Sequence, residues 1–272
     1  MTVKKIHYCW FGNNPLSSED MDCIESWKKF FPDYEIVRWD ESNFDINICD
    51  YVREAYDAKK WAYVSDFARM YILYNNGGLY FDTDVKVVKS FDDILSEGPF
   101  MGRENCDPLI GVNPGIGLYL DKKMPIINEI LNNYYEDHFI KEDGLFNYKT
   151  IVERVTEVLV GKGLTGENKI QKVAGLNIYP KEYFCPLDYK TGHLNRTENT
   201  HSIHLFNASW LDSKMKKRRL VSEKIRKIFP AFCSELVVRI YMIGSRNLEL
   251  IFSGNVKLVL KKIRKRISYE RK

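Results

Sequence analysis

The junction between residues 58 and 88 limits the possible folds of this chain more than any other part of its sequence. Apolar residues recur at helical spacing from about residue 58 to residue 75, which predicts an amphipathic helix. Asn76-Gly77-Gly78 ends that helix, because glycine accepts the left-handed backbone conformation found at helix C-termini. The next residues, LYFDTDVKVV, predict a strand. A helix that turns at once into a strand is typical of α/β folds.

The elements before this junction alternate in the same way. KKIHYCWF (residues 4–11) predicts a strand, and a helix capped by Ser17 or Ser18 follows it as far as Phe30. YEIVRW predicts a second strand and DINICDYVREAYDA a further helix. Strand, helix, strand, helix, helix, strand is an α/β order. Farther on, PLIGVNPGIGLYL predicts a glycine-rich loop and a strand, two helical patterns follow, and HSIHLFNASW predicts a short strand and a loop.

The composition favours a folded, cytoplasmic protein. The 272 residues, 44% of them hydrophobic, suffice for one large domain with an appendage. Six scattered cysteines without a CxxC pair favour free thiols in a reducing compartment. We expect neither a signal peptide nor a membrane span, because MTVKKIHYCWFG soon becomes polar and no apolar run approaches roughly 18 to 20 residues.

The charge divides the chain into two parts. Residues 214–272 contain 18 Lys and Arg against four Glu, a charge of +14, so the rest carries −10 within the total of +4. We predict a folded domain over residues 1–211 and a basic, mainly helical region over residues 212–272. In NVKLVLKKIRKRI (residues 255–267), apolar residues follow one helical face among basic ones, a pattern typical of helices on anionic membrane surfaces. The alternatives are a solvated basic helix and a nucleic-acid-binding region, and the apolar stripe argues against the latter.

Asp82 and Asp84 are the first candidates for chemistry. In a strand, residues i and i+2 point to the same face, so both carboxylates would converge near the carboxyl end of the strand, where open α/β sheets bind ligands. Mn²⁺ or Mg²⁺, held by carboxylates and completed by substrate phosphates, would relieve their repulsion. The alternative is a pair of exposed acids at a strand end.

Other side chains near the strand ends suit a nucleotide or sugar ligand. SDFAR places Asp66 and Arg69 on one helix face, either as an ion pair or as a site for sugar hydroxyls and phosphate oxygens. Trp10, at the end of the first strand, is either a core residue or a platform for a nucleobase. His204 is either a structural histidine or a ligand of Mn²⁺.

Three segments together resemble the family 32 glycosyltransferases, which include capsular polysaccharide and initiating mannosyltransferase-like enzymes with a DxD motif: HYCWFG, KKWAYVSDFARMYILYNNGGLYFDTDVKV and HLFNASW. The resemblance spans about residues 4–211, and S-D-x-x-R, G-G-x-Y and D-x-D at fixed spacing are its most specific part. The same block is similar to the glucosyltransferase domains of large clostridial toxins. The resemblance implies a GT-A fold, which is Rossmann-like, with a nucleotide-sugar donor, Mn²⁺ or Mg²⁺, and retention of anomeric configuration.

The resemblance also implies roles for the residues around the DTD segment. Asp82 and Asp84 would hold the metal and the ribose and diphosphate of the donor. Asp66 and Arg69 would bind the donor sugar, and Trp10 the base. Together with the metal, Arg69 would stabilise the charge on the departing phosphate.

Further residues enter the site through the same resemblance. His204 would reach the metal, and Asn113 would contact the sugar. Ser209 and Trp210 would close over the diphosphate. No carboxylate is evident as a nucleophile, so we favour substitution on one face of the sugar, in which the departing phosphate oxygen takes the proton of the acceptor hydroxyl.

We therefore expect a retaining hexosyltransferase with a catalytic domain at residues 1–211. UDP-galactose or UDP-glucose is the first expected donor and GDP-mannose the second. The expected acceptor is a lipid-linked glycan in capsular polysaccharide, exopolysaccharide or O-antigen synthesis, reached at the inner face of the membrane through residues 212–272. A metal-dependent nucleotidyltransferase or nucleotide-sugar hydrolase is the alternative, since either would use the same aspartates. Nucleic acid is not an expected partner.

Overall fold

The computed structural model describes residues 3–105, 111–189 and 191–207, with Val221 and Tyr241 as single positions. The helices in these ranges are α1 (Ser18–Phe30), α2 (Asp50–Asp57), α3 (Trp61–Asn76), α4 (Asp92–Ser96), α5 (Pro125–Tyr135), α6 (Ile151–Gly161) and α7 (Lys181–Phe184). The strands are β1 (Lys5–Cys9), β2 (Glu35–Trp39), β3 (Gly78–Tyr80), β4 (Val85–Val87), β5 (Phe100–Asn105), β6 (Gly111–Leu120), β7 (Gln171–Val173), β8 (Leu176–Tyr179) and β9 (Ser202–His204). Apart from the two single positions, the basic region at 212–272 lies outside the described residues, so its helical structure stays a prediction.

Seven strands form the main sheet in the order β2-β1-β3-β6-β5-β8-β7. β1 is parallel to β2 and β3, and β5 is parallel to β8. β6 is antiparallel to both β3 and β5, and β7 is antiparallel to β8. All strands of this sheet except β6 and β7 therefore run in one direction. Helices pack on this sheet, so the predicted α/β class is confirmed.

Helices cover both faces of the main sheet. α2, α3, α5 and α6 contribute to one hydrophobic core, whereas α1, α4 and α7 contribute to the other. In the second core, Trp27 of α1 is fully buried and donates its indole N–H to the carbonyl of Val85 (2.7 Å). This bond holds α1 against the first residue of β4.

The turn from α3 into β3 depends on two glycines and a buried histidine. Gly77 and Gly78 have φ values of +66° and +103°, and a Cβ on Gly78 would lie 2.8 Å from the carbonyl oxygen of Lys5. His7 Nε2 donates to the carbonyl of Gly77 (3.1 Å), and its Nδ1 accepts from the indole N–H of Trp39 (3.0 Å). Burial lowers the pKa of His7 to about 4, so the ring is neutral. The start of β3 is thus held by uncharged hydrogen bonds beside β1.

The segment LYFDTDVKVV forms two strands, not one. β3 ends at Tyr80 in the main sheet, and β4 pairs with β9 in a separate two-stranded sheet. Between them the backbone N–H of Val85 donates to the carbonyl of Asp82 (3.0 Å) and closes a turn. Asp82 and Asp84 therefore lie on a turn, and the expectation that strand alternation directs both to one spot is wrong. Aspartate has a low strand propensity, and the two carboxylates bind different partners.

No helix in the described part of the chain is long and apolar enough to span a membrane. Four cysteines in these ranges are free thiols: Cys9, Cys23, Cys49 and Cys185. The expected cytoplasmic location and membrane-surface association rest on the sequence alone.

Candidate active site

Arg69 lies at the centre of a buried group of charges. Asp66 and Arg69 stand about one turn apart on α3, and Asp82 follows β3. Arg69 Nη2 is 3.1 Å from Asp66 Oδ1 and 3.1 Å from Asp82 Oδ1, and Nη1 donates to Asp82 Oδ2 (3.2 Å). Only 6% of the Arg69 side chain is exposed. We call Asp66, Arg69 and Asp82 the arginine cluster, in which one guanidinium binds two carboxylates.

Neighbouring groups hold the arginine cluster in place. Tyr80 donates its hydroxyl to Asp82 Oδ1 (3.1 Å), and its ring centre lies 5.0 Å from Arg69 Cζ. The backbone N–H of Ile151, the first residue of α6, donates to Asp66 Oδ2 (3.3 Å). Because a helix N-terminus favours negative charge, α6 stabilises the ionised form of Asp66.

The arginine cluster contains more acid than base. Burial raises the pKa of Asp66 to about 6; Arg69 opposes this shift and Asp82 adds to it. Burial disfavours the charged form of Arg69 as well, but the two carboxylates raise its pKa above the ordinary value. Above pH 6 the cluster therefore has an excess negative charge, which suits donors of hydrogen bonds such as sugar hydroxyls.

Asp84 lies in a different environment from Asp82. Asp84 Oδ1 is 3.3 Å from His204 Nε2 on β9, and Asp84 Oδ2 accepts from the backbone N–H of Asn207 (2.9 Å). Burial disfavours ionisation of Asp84, yet His204 and Asn207 lower its pKa below the ordinary value. Burial likewise disfavours a charged His204, but Asp84 raises the pKa of the imidazole well above its ordinary value. We call Asp84 and His204 the histidine pair.

Asn113 lies behind the arginine cluster on β6 and is 8% exposed. Its Nδ2 donates to Glu104 Oε2 (2.8 Å), and its Oδ1 accepts from the backbone N–H of Gly115 (2.7 Å). The carbonyl of Gly115 accepts from the backbone N–H of Asp82 (2.8 Å). The amide of Asn113 is thus engaged in supporting β6, and its contact with a donor sugar stays a prediction.

Trp10 follows β1 and is partly exposed at the carboxyl end of that strand. Its indole N–H donates to the carbonyl of Asn14 (2.6 Å), and its ring packs at the edge of the second core. Part of the ring is available to a ligand, and its role toward a base stays a prediction. Ser209 and Trp210 lie outside the described residues.

The three residues predicted to hold a divalent cation are only partly gathered. Asp84 and His204 are in contact, whereas Asp82 binds Arg69 and Tyr80. Among residues 3–105, 111–189 and 191–207, no three His, Cys, Asp or Glu side chains form a group suited to a metal ion. Mn²⁺ accepts carboxylate and imidazole ligands, and Mg²⁺ needs only one or two carboxylates when phosphates and water complete the site. The donor set of the histidine pair therefore fits a cation whose coordination a nucleotide completes, once His204 gives up the proton that Asp84 stabilises, because only the neutral imidazole binds a metal.

Three residues of the site had no role assigned to them from the sequence. Tyr80 binds Asp82, Asn207 binds Asp84, and Gly115 lies directly against Asp82. The spacing of Tyr80 and Asp82 was an available signal, because residues two apart near a strand share a face. The contacts of Gly115 and Asn207 join distant segments and have no local signal. The buried side-chain nitrogen of Asn207 has no hydrogen-bond partner within the described residues.

Residues 17–101 match the family model described as "Glycosyltransferase sugar-binding region containing DXD motif". The match begins at the N-cap of α1, ends in β5 and includes both the arginine cluster and the Asp82-Thr83-Asp84 turn. It supports a glycosyltransferase function. The narrower assignment to family 32 stays a prediction.

This chain is similar to one curated protein of unknown function and to several solved structures that are described as glycosyltransferases. An uncharacterized Arabidopsis thaliana protein is 28% identical over 127 residues, which is 46% of this chain and only 18% of the length of that relative. The solved structure of the PaToxG glycosyltransferase is 22% identical, with a TM-score of 0.46 over 60% of this chain and 70% of that one. A glycosyltransferase involved in glycosylation of the major capsid of PBCV-1 is 11% identical, with a TM-score of 0.46 over 82% of this chain and 99% of its own. The galactosyltransferase LgtC, solved with donor and acceptor sugar analogs, is 15% identical, with a TM-score of 0.42 over 84% and 98% of the two chains.

Proposed function

We propose that this chain is a GT-A glycosyltransferase that moves a hexose from a nucleoside diphosphate sugar to a glycan acceptor. The observation that carries the proposal is the Asp82-Thr83-Asp84 turn, which joins the arginine cluster to the histidine pair inside the segment that matches the family model. Carboxylates, a guanidinium and an imidazole beside one turn suit a ligand with both sugar hydroxyls and phosphate oxygens.

The arginine cluster is proposed to bind the donor sugar. Asp66 accepts hydrogen bonds from sugar hydroxyls, and Arg69 opposes the rise in the pKa of Asp66 that burial causes. Because Arg69 already binds two carboxylates, its contact with a departing phosphate oxygen requires one of these ion pairs to open. Trp10 stacks on the base and Asn113 contacts the sugar. Ser209 and Trp210 are the proposed cover of the diphosphate.

The proposed transfer takes place on one face of the sugar ring and retains the anomeric configuration. The bond between the anomeric carbon and the phosphate oxygen breaks, and the acceptor oxygen bonds to the same face. The proton of the acceptor hydroxyl passes to the departing phosphate oxygen. Three carboxylates of the site are engaged by other groups, Asp66 and Asp82 by Arg69 and Asp84 by His204, which supports a route without a carboxylate nucleophile.

Asp84 and His204 are the proposed ligands of Mn²⁺ or Mg²⁺, with Asp82 as a third. When bound, the cation supplies positive charge that stabilises the departing diphosphate. The backbone N–H of Asn207 holds the second oxygen of Asp84 and orients the carboxylate for this role.

The donor, the acceptor and the location are proposed from the sequence. UDP-galactose or UDP-glucose is the proposed donor, with GDP-mannose second, and a lipid-linked glycan of capsular polysaccharide, exopolysaccharide or O-antigen synthesis is the proposed acceptor. The +14 charge of residues 214–272 supports attraction of the cytoplasmic protein to the anionic inner face of a membrane. Vesicles of anionic lipid should sediment the full chain but not a chain that ends at Leu211. Equal sedimentation of the two would contradict the membrane role.

Turnover of a panel of UDP- and GDP-sugars, with and without Mn²⁺, tests the transferase proposal. We expect one donor to be hydrolysed slowly to the nucleoside diphosphate and the free hexose, and the rate to depend on the cation. Asp84→Asn should lower this rate at least about 100-fold, because a bound cation contributes several kcal/mol to transition-state stabilisation. The circular dichroism spectrum of the variant should be unchanged.

Asp33→Asn is the matched control, because Asp33 is exposed and pairs with Lys4 at the surface. It should keep the wild-type rate. A wild-type rate in Asp84→Asn would remove Asp84 from the site, and no binding or turnover of any donor would contradict the proposal. Release of a nucleoside monophosphate and a sugar phosphate would favour the nucleotide-sugar hydrolase, and formation of a nucleotide sugar from a sugar phosphate would favour the nucleotidyltransferase.

A further inference from the structure

Gly115 is the point at which β6 approaches the arginine cluster most closely. A Cβ on Gly115 would overlap Asp82 Oδ2 and would lie 2.8 Å from Asp82 Cγ and 2.7 Å from Arg69 Nη1. The φ of Gly115 is outside the left-handed region, so any residue could adopt its backbone conformation. The position therefore requires glycine for space alone.

Hydrogen bonds on both sides of Gly115 keep its backbone next to Asp82. The carbonyl of Gly115 accepts from the backbone N–H of Asp82, and its N–H donates to Asn113 Oδ1. Asn113 is in turn bound by Glu104 on β5. Because these bonds hold β6 in place, an added methyl group at Gly115 must displace the side chains opposite it. The Asp82 carboxylate, which the methyl group would overlap, must move furthest, and Arg69 Nη1 must move less.

We propose that Gly115 is a positioning residue that directs the carboxylate of Asp82 onto both terminal nitrogens of Arg69. With no side chain at Gly115, Asp82 Oδ2 lies against the β6 backbone, and its two oxygens face Arg69 Nη1 and Nη2. Asn113 acts through Gly115, because it fixes the N–H on the opposite side of that residue. The effect of Gly115 on turnover rests on the proposed function, whereas its effect on the position of Asp82 does not.

Gly115→Ala is the first test of the proposal. The variant should fold, with a melting temperature a few degrees below that of the wild type. Its kcat/KM for donor hydrolysis should fall about 100-fold, because a displacement of about 1 Å at a reacting group has effects of that size. Wild-type kcat/KM in this variant would overturn the proposal.

Two other glycines serve as controls for the same substitution. Gly161 ends α6 and has open space where a Cβ would be, so Gly161→Ala should leave kcat/KM unchanged and keep or slightly raise the melting temperature, because alanine is favoured over glycine in a helix. Gly102 lies on β5, and its added Cβ would meet apolar atoms of Phe184 (2.5 Å) and Ile116 (3.1 Å). Gly102→Ala should therefore lower the melting temperature but reduce kcat/KM much less than Gly115→Ala, because its strain acts on Phe184 and Ile116 and does not touch Asp82 directly. An equal loss of kcat/KM in Gly102→Ala would mean that strain in the sheet, not the position of Asp82, reduces activity, and would overturn the proposal.

A double-substitution cycle with Asp82→Ala separates this inference from the proposed function. Once the Asp82 carboxylate is removed, the methyl group at position 115 meets only the movable end of the Arg69 side chain. Gly115→Ala should therefore lower the melting temperature of the wild type much more than that of Asp82→Ala. Equal losses in the two backgrounds would overturn the inference. If the wild type turns over no nucleotide sugar, the proposed function fails, and the melting temperatures still decide whether Gly115 positions Asp82.

Discussion

Buried polar groups surround both ends of β3, yet only one end is charged. At its start, His7 is neutral and both ring nitrogens are satisfied, by the carbonyl of Gly77 and the indole of Trp39. At its end, the guanidinium of Arg69 serves two carboxylates. A fully bonded neutral network makes a fold more rigid, whereas unequal charges in a buried cluster oppose folding. The difference indicates that the start of β3 serves the fold and its end serves a ligand.

Among the substitutions at the two ends of β3, replacement of Arg69 should cause the largest loss in the free energy of unfolding. Arg69→Met leaves Asp66 and Asp82 without their shared cation, and breaking a buried ion pair in this way costs about 3–5 kcal/mol. Urea denaturation at neutral pH measures this loss in the free energy of unfolding. The loss should be smaller below about pH 6, where Asp66 takes up a proton.

Arg53→Met is the control for that substitution. Arg53 is half-exposed and pairs with Asp50 on the surface of α2. Its replacement should change the free energy of unfolding by less than about 0.5 kcal/mol. Equal losses in the free energy of unfolding for the two variants would mean that the ion pairs of Arg69 contribute no more to stability than the surface ion pair of Arg53.

The neutral end should respond to acid. Burial, assisted by Lys5 and opposed by Glu35 and by the hydrogen bond to Gly77, lowers the pKa of His7 from 6.5 to about 4. Between these values the unfolded chain binds a proton that the folded chain does not, so stability is complete above about pH 6.5 and falls as the pH drops toward 4. The total loss is on the order of 3 kcal/mol.

Unfolding of the wild type and of His7→Phe across this pH range measures the contribution of His7. The variant is less stable at neutral pH, because it lacks both hydrogen bonds of the ring. It should also lack this part of the pH dependence. A pH dependence identical in the two proteins would assign the acid sensitivity to other groups.

Asp66→Asn should have the smallest effect on stability and a large effect on ligand binding. The pKa of Asp66 is raised from 3.8 to about 6, so ionisation of this group lowers stability as the pH rises through that range. Asn keeps an acceptor for the N–H of Ile151 without the excess charge. We expect the free energy of unfolding at neutral pH to change by less than about 1 kcal/mol. Calorimetry should show that binding of the donor sugar is lost.

If Asp66→Asn lowered the free energy of unfolding as much as Arg69→Met, the conclusion that the end of β3 serves a ligand and not the fold would be wrong. It would make Asp66 a structural partner of Arg69, similar in kind to the groups around His7. Retained donor binding would likewise remove Asp66 from the proposed site.

The helices and strands that carry the site residues were easier to predict from the sequence than the contacts that those residues make with distant parts of the chain. Helical spacing and Gly77-Gly78 placed the end of α3 and the start of β3 within a few residues, because caps and turns depend on neighbouring residues. Spacing also placed Asp66 and Arg69 on one face. The direct contacts of Asp82 and Asp84 were not predictable from local spacing, because they depend on β6 and β9, which reach the turn only through the folded sheet arrangement. Only the family resemblance associated His204 with the two aspartates, through a shared metal.

The histidine pair joins positions 120 residues apart in the chain, whereas the arginine cluster spans only residues 66–82. A ribosome that adds roughly 5–20 residues per second makes Asp84 at least about 6 seconds before His204. During that interval the nascent chain holds every member of the arginine cluster but no imidazole for Asp84. A product released before β9 therefore lacks half of the histidine pair, and the proposed site is complete only when translation has continued past β9 to Asn207, Ser209 and Trp210.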